Sequence, residues 1–221
     1  GGIRFGLVAI KNIGRGFIQS VVREREQGGS FTSLQDFCDR MYDCGEMNKR
    51  AVENLIRSGA FDGMGARRSQ LVAVYEKVLD AIGTVRRRNV EGQLDFFGMA
   101  ASSSEAPAQV HLPDVPEYTA VERMQMERET TGLYLSGHPM SDYRATAKRL
   151  GAVSIGEITQ DFAGEEGANR FADGQMVTVA GIVASSKTRT TKNNTLMAYV
   201  TLEDETASME LLCFQKVIDR C

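Results

Sequence analysis

The sequence predicts an α+β chain, mainly helical at first and ending in a small β region. Three observations predict it. Apolar residues recur at three- and four-residue spacing through residues 3–88, which is the helical period. Helix-start and helix-stop signals return between residues 119 and 172. From residue 175 to residue 214 the pattern changes to strict alternation, the period of a half-buried strand. The resulting division is 3–88, a linker at 89–118, a helical connector at 119–172 and a β segment at 173–221.

In the first segment Phe17, Ile18, Val21 and Val22 form one apolar stripe. Leu34, Phe37, Cys38 and Met41 form a second, opened by a capping pattern at Ser33 and Asp36. Val52, Leu55 and Ile56 form a third, opened by Asn48 and closed by Gly59. Leu71, Val74, Val78, Leu79 and Ile82 form the fourth and longest. These are short amphipathic helices with tight turns between them.

Two of the turns carry chemistry. Ile10-Lys11-Asn12-Ile13-Gly14-Arg15-Gly16 and Gly59-Ala60-Phe61-Asp62-Gly63-Met64-Gly65-Ala66-Arg67-Arg68 each place two glycines two apart before a helix. Such glycines allow positive φ and leave amide N–H groups bare at a helix N-terminus. Bare amides and the helix dipole attract an anionic oxygen. Lys11, Arg15, Arg67 and Arg68 supply full charges beside Gly14, Gly16, Gly63 and Gly65. One Gly-x-Gly turn is weak evidence, because helix C-caps use glycine routinely. No Gly-Lys-Ser/Thr follows, so this is not a mononucleotide P-loop. Two turns about fifty residues apart resemble a tandem helix-hairpin-helix module, which holds duplex DNA by its phosphates without reading sequence.

Hydrophobic content of 42% and charged content of 25% are ordinary for soluble protein. No apolar run approaches 18 residues and no signal-peptide pattern opens the chain, so a cytoplasmic location is expected. Cys38, Cys44, Cys213 and Cys221 show no metal-ligand spacing, and reduced thiols with no cofactor are expected. The net charge of −3 hides an asymmetry: residues 1–90 hold 15 Lys/Arg against 10 Asp/Glu, whereas the remainder holds 11 against 19. A first segment that meets a polyanion explains this, and so do ordinary solvated helix faces.

Gln93-Leu94-Asp95-Phe96-Phe97 follows the basic run Arg86-Arg87-Arg88 and precedes the linker-like stretch 100–108. Leu94, Phe96 and Phe97 have no periodic partners on either side. Aromatics on a tether fit a pocket on another protein, which makes this a docking peptide, unless both rings fold back on their own helices. Thr119 and Glu122 form a capping box that starts a helix ending near Gly132. Ser136 and His138 lie close in sequence, but no nucleophile elbow accompanies them, and a turn packed by Leu133, Tyr134 and Leu135 is expected. Ser141 to Leu150 reads as a further helix stopped by Gly151.

In the last segment Val177, Val179, Gly181 and Val183 share one face of a long first strand. It runs into a basic turn, 187–194, followed by a strand with Leu196, Ala198, Val200 and Leu202 on one side and Met197, Tyr199 and Thr201 on the other. A third strand spans Ser208 to Phe214. This meander resembles the start of an OB-fold, a five-stranded barrel that holds single strands. Lys187, Arg189, Lys192 and Tyr199 are the expected single-strand contacts, charge combined with a stacking face, although Tyr199 serves equally as cover for the barrel surface. Three strands cannot close a barrel, so open edges are expected.

Four stretches together carry a specific resemblance: Phe5-Gly6-Leu7-Val8-Ala9-Ile10-Lys11-Asn12-Ile13-Gly14, then Asn48-Lys49-Arg50, Leu55-Ile56-Arg57-Ser58-Gly59-Ala60-Phe61-Asp62 and Gly132-Leu133-Tyr134-Leu135-Ser136-Gly137-His138-Pro139. From about residue 3 onward the sequence resembles the alpha subunit of bacterial replicative DNA polymerase III, in the region after its fingers. The resemblance implies double-stranded DNA, single-stranded DNA, the beta sliding clamp and other replicase subunits as partners. It implies that Gln93, Leu94, Asp95, Phe96 and Phe97 are the clamp-binding motif, Leu94, Phe96 and Phe97 entering the clamp pocket while Gln93 binds its rim. It also implies that the carboxylates of nucleotidyl transfer lie in domains before residue 1, so no catalytic residue is expected here. An error-prone alpha paralogue, a tRNA anticodon-binding OB module and a helix-hairpin-helix glycosylase or nuclease remain as rivals. The last would need a nucleophilic Lys or Asp after the hairpin or a carboxylate cluster, and neither is visible.

Overall fold

The computed structural model describes residues 6–94, 110–163 and 170–220, the side chains of 88–94 excepted. Among these residues the chain is α+β, with helices α1 (Arg15–Gly28), α2 (Leu34–Met41), α3 (Lys49–Arg57), α4 (Arg68–Leu94), α5 (Ala120–Thr131), α6 (Arg144–Arg149), α7 (Ile155–Ala163) and α8 (Gln215–Ile218). The strands are β1 (Ile182–Thr190), β2 (Leu196–Glu203) and β3 (Ser208–Phe214). Two compact units result, Gly1–Ser136 and Gly137–Cys221.

In the first unit the four stripes become one core. Phe17 and Val21 of α1, Phe37, Cys38 and Met41 of α2, Val52, Leu55 and Ile56 of α3, and Val74, Val78 and Ile82 of α4 are buried together. Phe37 is its aromatic centre, edge-on to Phe31 at 5.0 Å and to Phe61 at 5.1 Å between centroids. Such edge-to-face pairs add about 0.5–1.5 kcal/mol each beyond burial. The expected caps form: Ser33 accepts from the Asp36 amide, Asn48 from the Ala51 amide, and Thr119 with Glu122 closes a complete capping box. Gly132 ends α5 at φ 82°, where a side chain would be strained. Burial pushes the Cys38 thiol up to about 12, the mark of an inert structural cysteine. Within the expected docking peptide the backbone of Gln93 and Leu94 forms the end of α4, whereas Asp95, Phe96 and Phe97 lie outside the described residues, as does Cys221.

The second unit is a three-stranded antiparallel meander in the order β1-β2-β3, with β1 and β3 at its edges among the described residues. The first strand is shorter than its alternation implied. Regular pairing starts at Ile182, and Val179 makes only an isolated parallel bridge to Val153. A register shift between Val183 and Ser185 leaves Val183 63% exposed, so the expected common face of Val177 to Val183 does not persist. Ala198, Val200 and Leu202 pair with Cys213, Leu211 and Met209 on one side of the sheet. α7 packs against β3, with Ile155 and Ile158 buried. Its first turn is capped from the β2–β3 turn, where Asp204 accepts from the Ile155 amide at 2.7 Å and Thr206 from the Gly156 amide at 2.8 Å. Within 119–172 the helices fall in different units. α5 folds with the first unit because its contacts are to α3, and α6 and α7 fold with the sheet.

Candidate nucleic-acid interface

The first glycine turn is built differently from its sequence expectation. Positive φ falls on Asn12 (63°), while Gly14 is extended at φ −76° and Gly16 lies in the first turn of α1. The space beside both glycines is filled by the end of the Glu46 side chain. A Cβ on Gly16 would stand 2.6 Å from Glu46 Oε1, and one on Gly14 3.2 Å from Oε2. The bare start of α1 thus already has a carboxylate lodged against it, the charge sign its dipole favours. Lys11 is tied down as well. Its amide donates to the Thr130 carbonyl and its Nζ to the Glu129 carbonyl, each at 2.8 Å, while Asn54 Nδ2 donates to the Lys11 carbonyl at 2.7 Å. Arg15 is exposed and makes no ion pair or hydrogen bond among the described residues, which leaves its charge open to solvent.

At the second turn Gly63 (φ 88°) and Gly65 (φ 80°) do take the left-handed backbone, and both are exposed with open space where a Cβ would be. The helix start they precede is not bare. The Arg67 amide donates to Gln70 Oε1, and the Arg68 and Ser69 amides donate to the two Glu117 oxygens at 2.8 and 3.1 Å. Burial alone would raise the Glu117 carboxyl, but the amides of Tyr118, Arg68 and Ser69 outweigh it and hold the group below the usual carboxylate range. The expectation of free amides at α4 is therefore corrected: a carboxylate almost fifty residues away caps them.

Arg68 is also corrected as a solvent-facing contact. It is 4% exposed and its guanidinium is divided between Asp62 and Glu127. Glu127, 1% exposed, accepts from Arg68 Nη2 at 2.8 Å, from the Leu135 and Ser136 amides at 2.9 and 2.8 Å, and from the Ser136 hydroxyl at 3.0 Å. Burial would raise the Glu127 carboxyl, yet the Ser136 amide, the Arg68 guanidinium and the Leu135 amide together lower it. This cluster fixes the turn 132–136, with Leu133 42% and Leu135 39% exposed, so carboxylate hydrogen bonds hold that turn where leucine packing was expected. Arg67 is half-exposed and bonds the Val115 carbonyl at 2.8 Å and Asp114 at 3.3 Å.

In the second unit Lys187 and Arg189 belong to β1, and the turn proper is 191–195, with exposed Lys192 in it. Residues directly opposite in an antiparallel pair share a face. Two ladder rows result, Arg189–Met197–Phe214 and Lys187–Tyr199–Leu212. The sheet brings Lys187, Arg189 and Tyr199 together, and the Arg189 guanidinium lies 5.8 Å from the centre of the Tyr199 ring. Glu46, Glu117 and Glu127 were not singled out from sequence. No local signal marks them, since the glycines beside Glu46 and the Arg68 that Glu117 and Glu127 hold lie 30 or more residues away.

Among the described residues no group of three His, Cys, Asp or Glu side chains is placed to hold a metal ion, and no helix is long and apolar enough to cross a membrane. Residues 1–71 match the family model of the helix-hairpin-helix motif. The whole chain is 34% identical to DNA polymerase III subunit alpha of Vibrio cholerae, covering 100% of this chain and 18% of that protein. It is 34% identical to the same subunit of Deinococcus radiodurans (99% of this chain, 16% of that protein) and 32% identical to that of Escherichia coli K12 (100% and 18%). The chain thus spans less than a fifth of the length of these curated relatives. It is, from end to end, a relative of the C-terminal part of bacterial DNA polymerase III alpha subunits.

Proposed function

We propose that this chain is the region of a bacterial DNA polymerase alpha subunit that holds the enzyme on DNA and on its sliding clamp. The observation that carries the reading is end-to-end similarity to DNA polymerase III alpha subunits, together with a matched helix-hairpin-helix motif. Residues 3–88 hold duplex DNA, 93–97 dock on the clamp from the linker 89–118, 119–172 connect, and 173–221 form an OB-type surface for single strands. Template-directed nucleotidyl transfer belongs to the parent protein, in domains other than this one.

The duplex contact is centred on the first turn, where Arg15 at the start of α1 is unpaired among the described residues and a phosphate would take the place beside Gly14 and Gly16 that the Glu46 carboxylate holds. Lys11 holds that turn against α5 with its positive charge beside the same approach. At the second turn Gly63 and Gly65 let a backbone phosphate come near, and Arg67 supplies the charge. Arg68 contributes by anchoring the start of α4. Binding of this kind is sequence-independent, with Kd about 10⁻⁴–10⁻⁶ M near physiological salt. Fluorescence anisotropy with duplexes of unrelated sequence tests it: similar affinities that weaken steeply with salt support the proposal, and salt-insensitive or absent binding removes it.

A further inference from the structure

The sheet face that holds Lys187, Arg189 and Tyr199 carries further residues not assigned to single-strand contact. The row Arg189–Met197–Phe214 ends on an aromatic ring that is 61% exposed, and the adjacent row Lys187–Tyr199–Leu212 ends on a leucine that is 52% exposed. Phe214 stands two positions beyond Leu212, the residue paired with Tyr199, so the two residues are diagonal neighbours about 7–8 Å apart along the sheet, within reach of aromatic side chains. Its position is pinned. Phe214 is the last residue of β3 and the cap of α8, and the next side chain, Gln215, accepts a hydrogen bond from the Leu196 amide at 2.6 Å.

We propose that Phe214 is a second base-stacking residue, which with Tyr199 makes a two-ring platform for consecutive unpaired bases of a single nucleic-acid strand. This rests on the reading of 173–221 as a single-strand surface. The charge on the same face selects the occupant. Neither Lys187 nor Arg189 makes an ion pair among the described residues, so both cations remain available to phosphates, and the Arg189 guanidinium that lies over the Tyr199 ring moves aside to a phosphate as a base takes that face. A ring face next to uncompensated cations suits a polyanion whose bases present π faces. The footprint is bounded at the other end of the face, where Glu210 completes the Ser185–Thr201 row and Glu203 stands in the row beyond it, and both repel a phosphate chain. The strand therefore crosses at the hairpin end, over the two aromatic rows.

The test compares the 221-residue chain with Phe214→Ala, Phe214→Tyr and a Lys187→Ala/Arg189→Ala double variant, by anisotropy on labelled oligo-dT and on an abasic strand of equal length. Phe214→Ala should weaken oligo-dT binding about 5- to 100-fold, Phe214→Tyr should retain it, and neither should change binding to the abasic strand, which has no base to stack. If oligo-dT binding survives Phe214→Ala but falls in the double variant, Phe214 is out and the single-strand reading stands. Equal losses on both strands, or a change of sedimentation state on replacing Phe214, assign the ring to folding or to self-association and overturn the platform. If the unaltered chain ignores oligo-dT altogether, both readings fall together.

Discussion

Arg68 and Glu127 form an ion pair across 59 residues of sequence, at 2.8 Å, with the two side chains 4% and 1% exposed. It locks the start of α4 to α5, and through Glu127 to the turn 132–136. Removing Glu127 leaves the buried Arg68 with only the half-exposed Asp62 as counter-charge, which costs up to about 3–5 kcal/mol. Glu127→Ala should lower the stability of the first unit by that amount in urea titration, while Arg68→Met/Glu127→Met should recover much of it. A single variant as stable as the parent would show that the pair is solvated.

Acid should act on the same region. Glu117 and Glu127 are both held below the ordinary carboxyl value of 4.5. A group with a lowered folded-state value contributes stability that is present above its unfolded value and lost as pH falls through the folded one. Stability should therefore be nearly level from pH 7 to about 5 on this account and fall below about pH 4.5. Glu117→Gln should flatten part of that acid limb; an unchanged slope in urea midpoints against pH would remove Glu117 from the explanation.

Arg15, exposed at the start of α1, makes no ion pair among the described residues. Each phosphate neutralised contributes about −0.9 to the slope of log K against log salt. Arg15→Ala should weaken duplex binding equally for all sequences and reduce the slope by about one such step. A weaker but equally salt-dependent complex would mean that Arg15 supports the fold and touches no phosphate.

Glu46 competes for the place a phosphate would take beside Gly14 and Gly16. Freeing a helix start of a resident carboxylate is worth about 0.3–1 kcal/mol to an incoming anion, or roughly two- to five-fold in affinity. Glu46→Gln should tighten duplex binding by that factor in anisotropy at low salt. Looser binding would identify Glu46 as a brace for the turn.

The docking peptide makes a separate prediction. Phe96→Ala/Phe97→Ala should abolish capture of the chain by immobilised sliding clamp and leave duplex affinity unchanged, because anchor aromatics carry most of such an interface. Clamp capture that persists would assign the clamp contact elsewhere.

Much of this molecule was legible in its residues. The stripes through Phe17, Phe37, Ile56 and Val78 became one core, and Ser33, Asn48 and Thr119 cap the helices they open, because helix period and capping are local properties. The third strand and the face of β2 that carries Met197, Tyr199 and Thr201 follow from period-two alternation in the same way, whereas Lys187 and Arg189, expected in a turn, lie in β1 and reach the Tyr199 face through the strand register. The limits of the first strand were less legible, since the shift between Val183 and Ser185 depends on its partner.

By itself, then, the sequence determined the α+β order, the core and the family resemblance, all of which rest on short-range pattern. Only the tertiary structure decided which amides stay bare. Glu46 and Glu117 reach the two helix starts from distant positions, and Arg68 turns inward to Glu127. The physical reason is that an unsatisfied donor or an unpaired charge is settled by whichever opposite group the fold brings within about 3 Å, and no local spacing announces that partner.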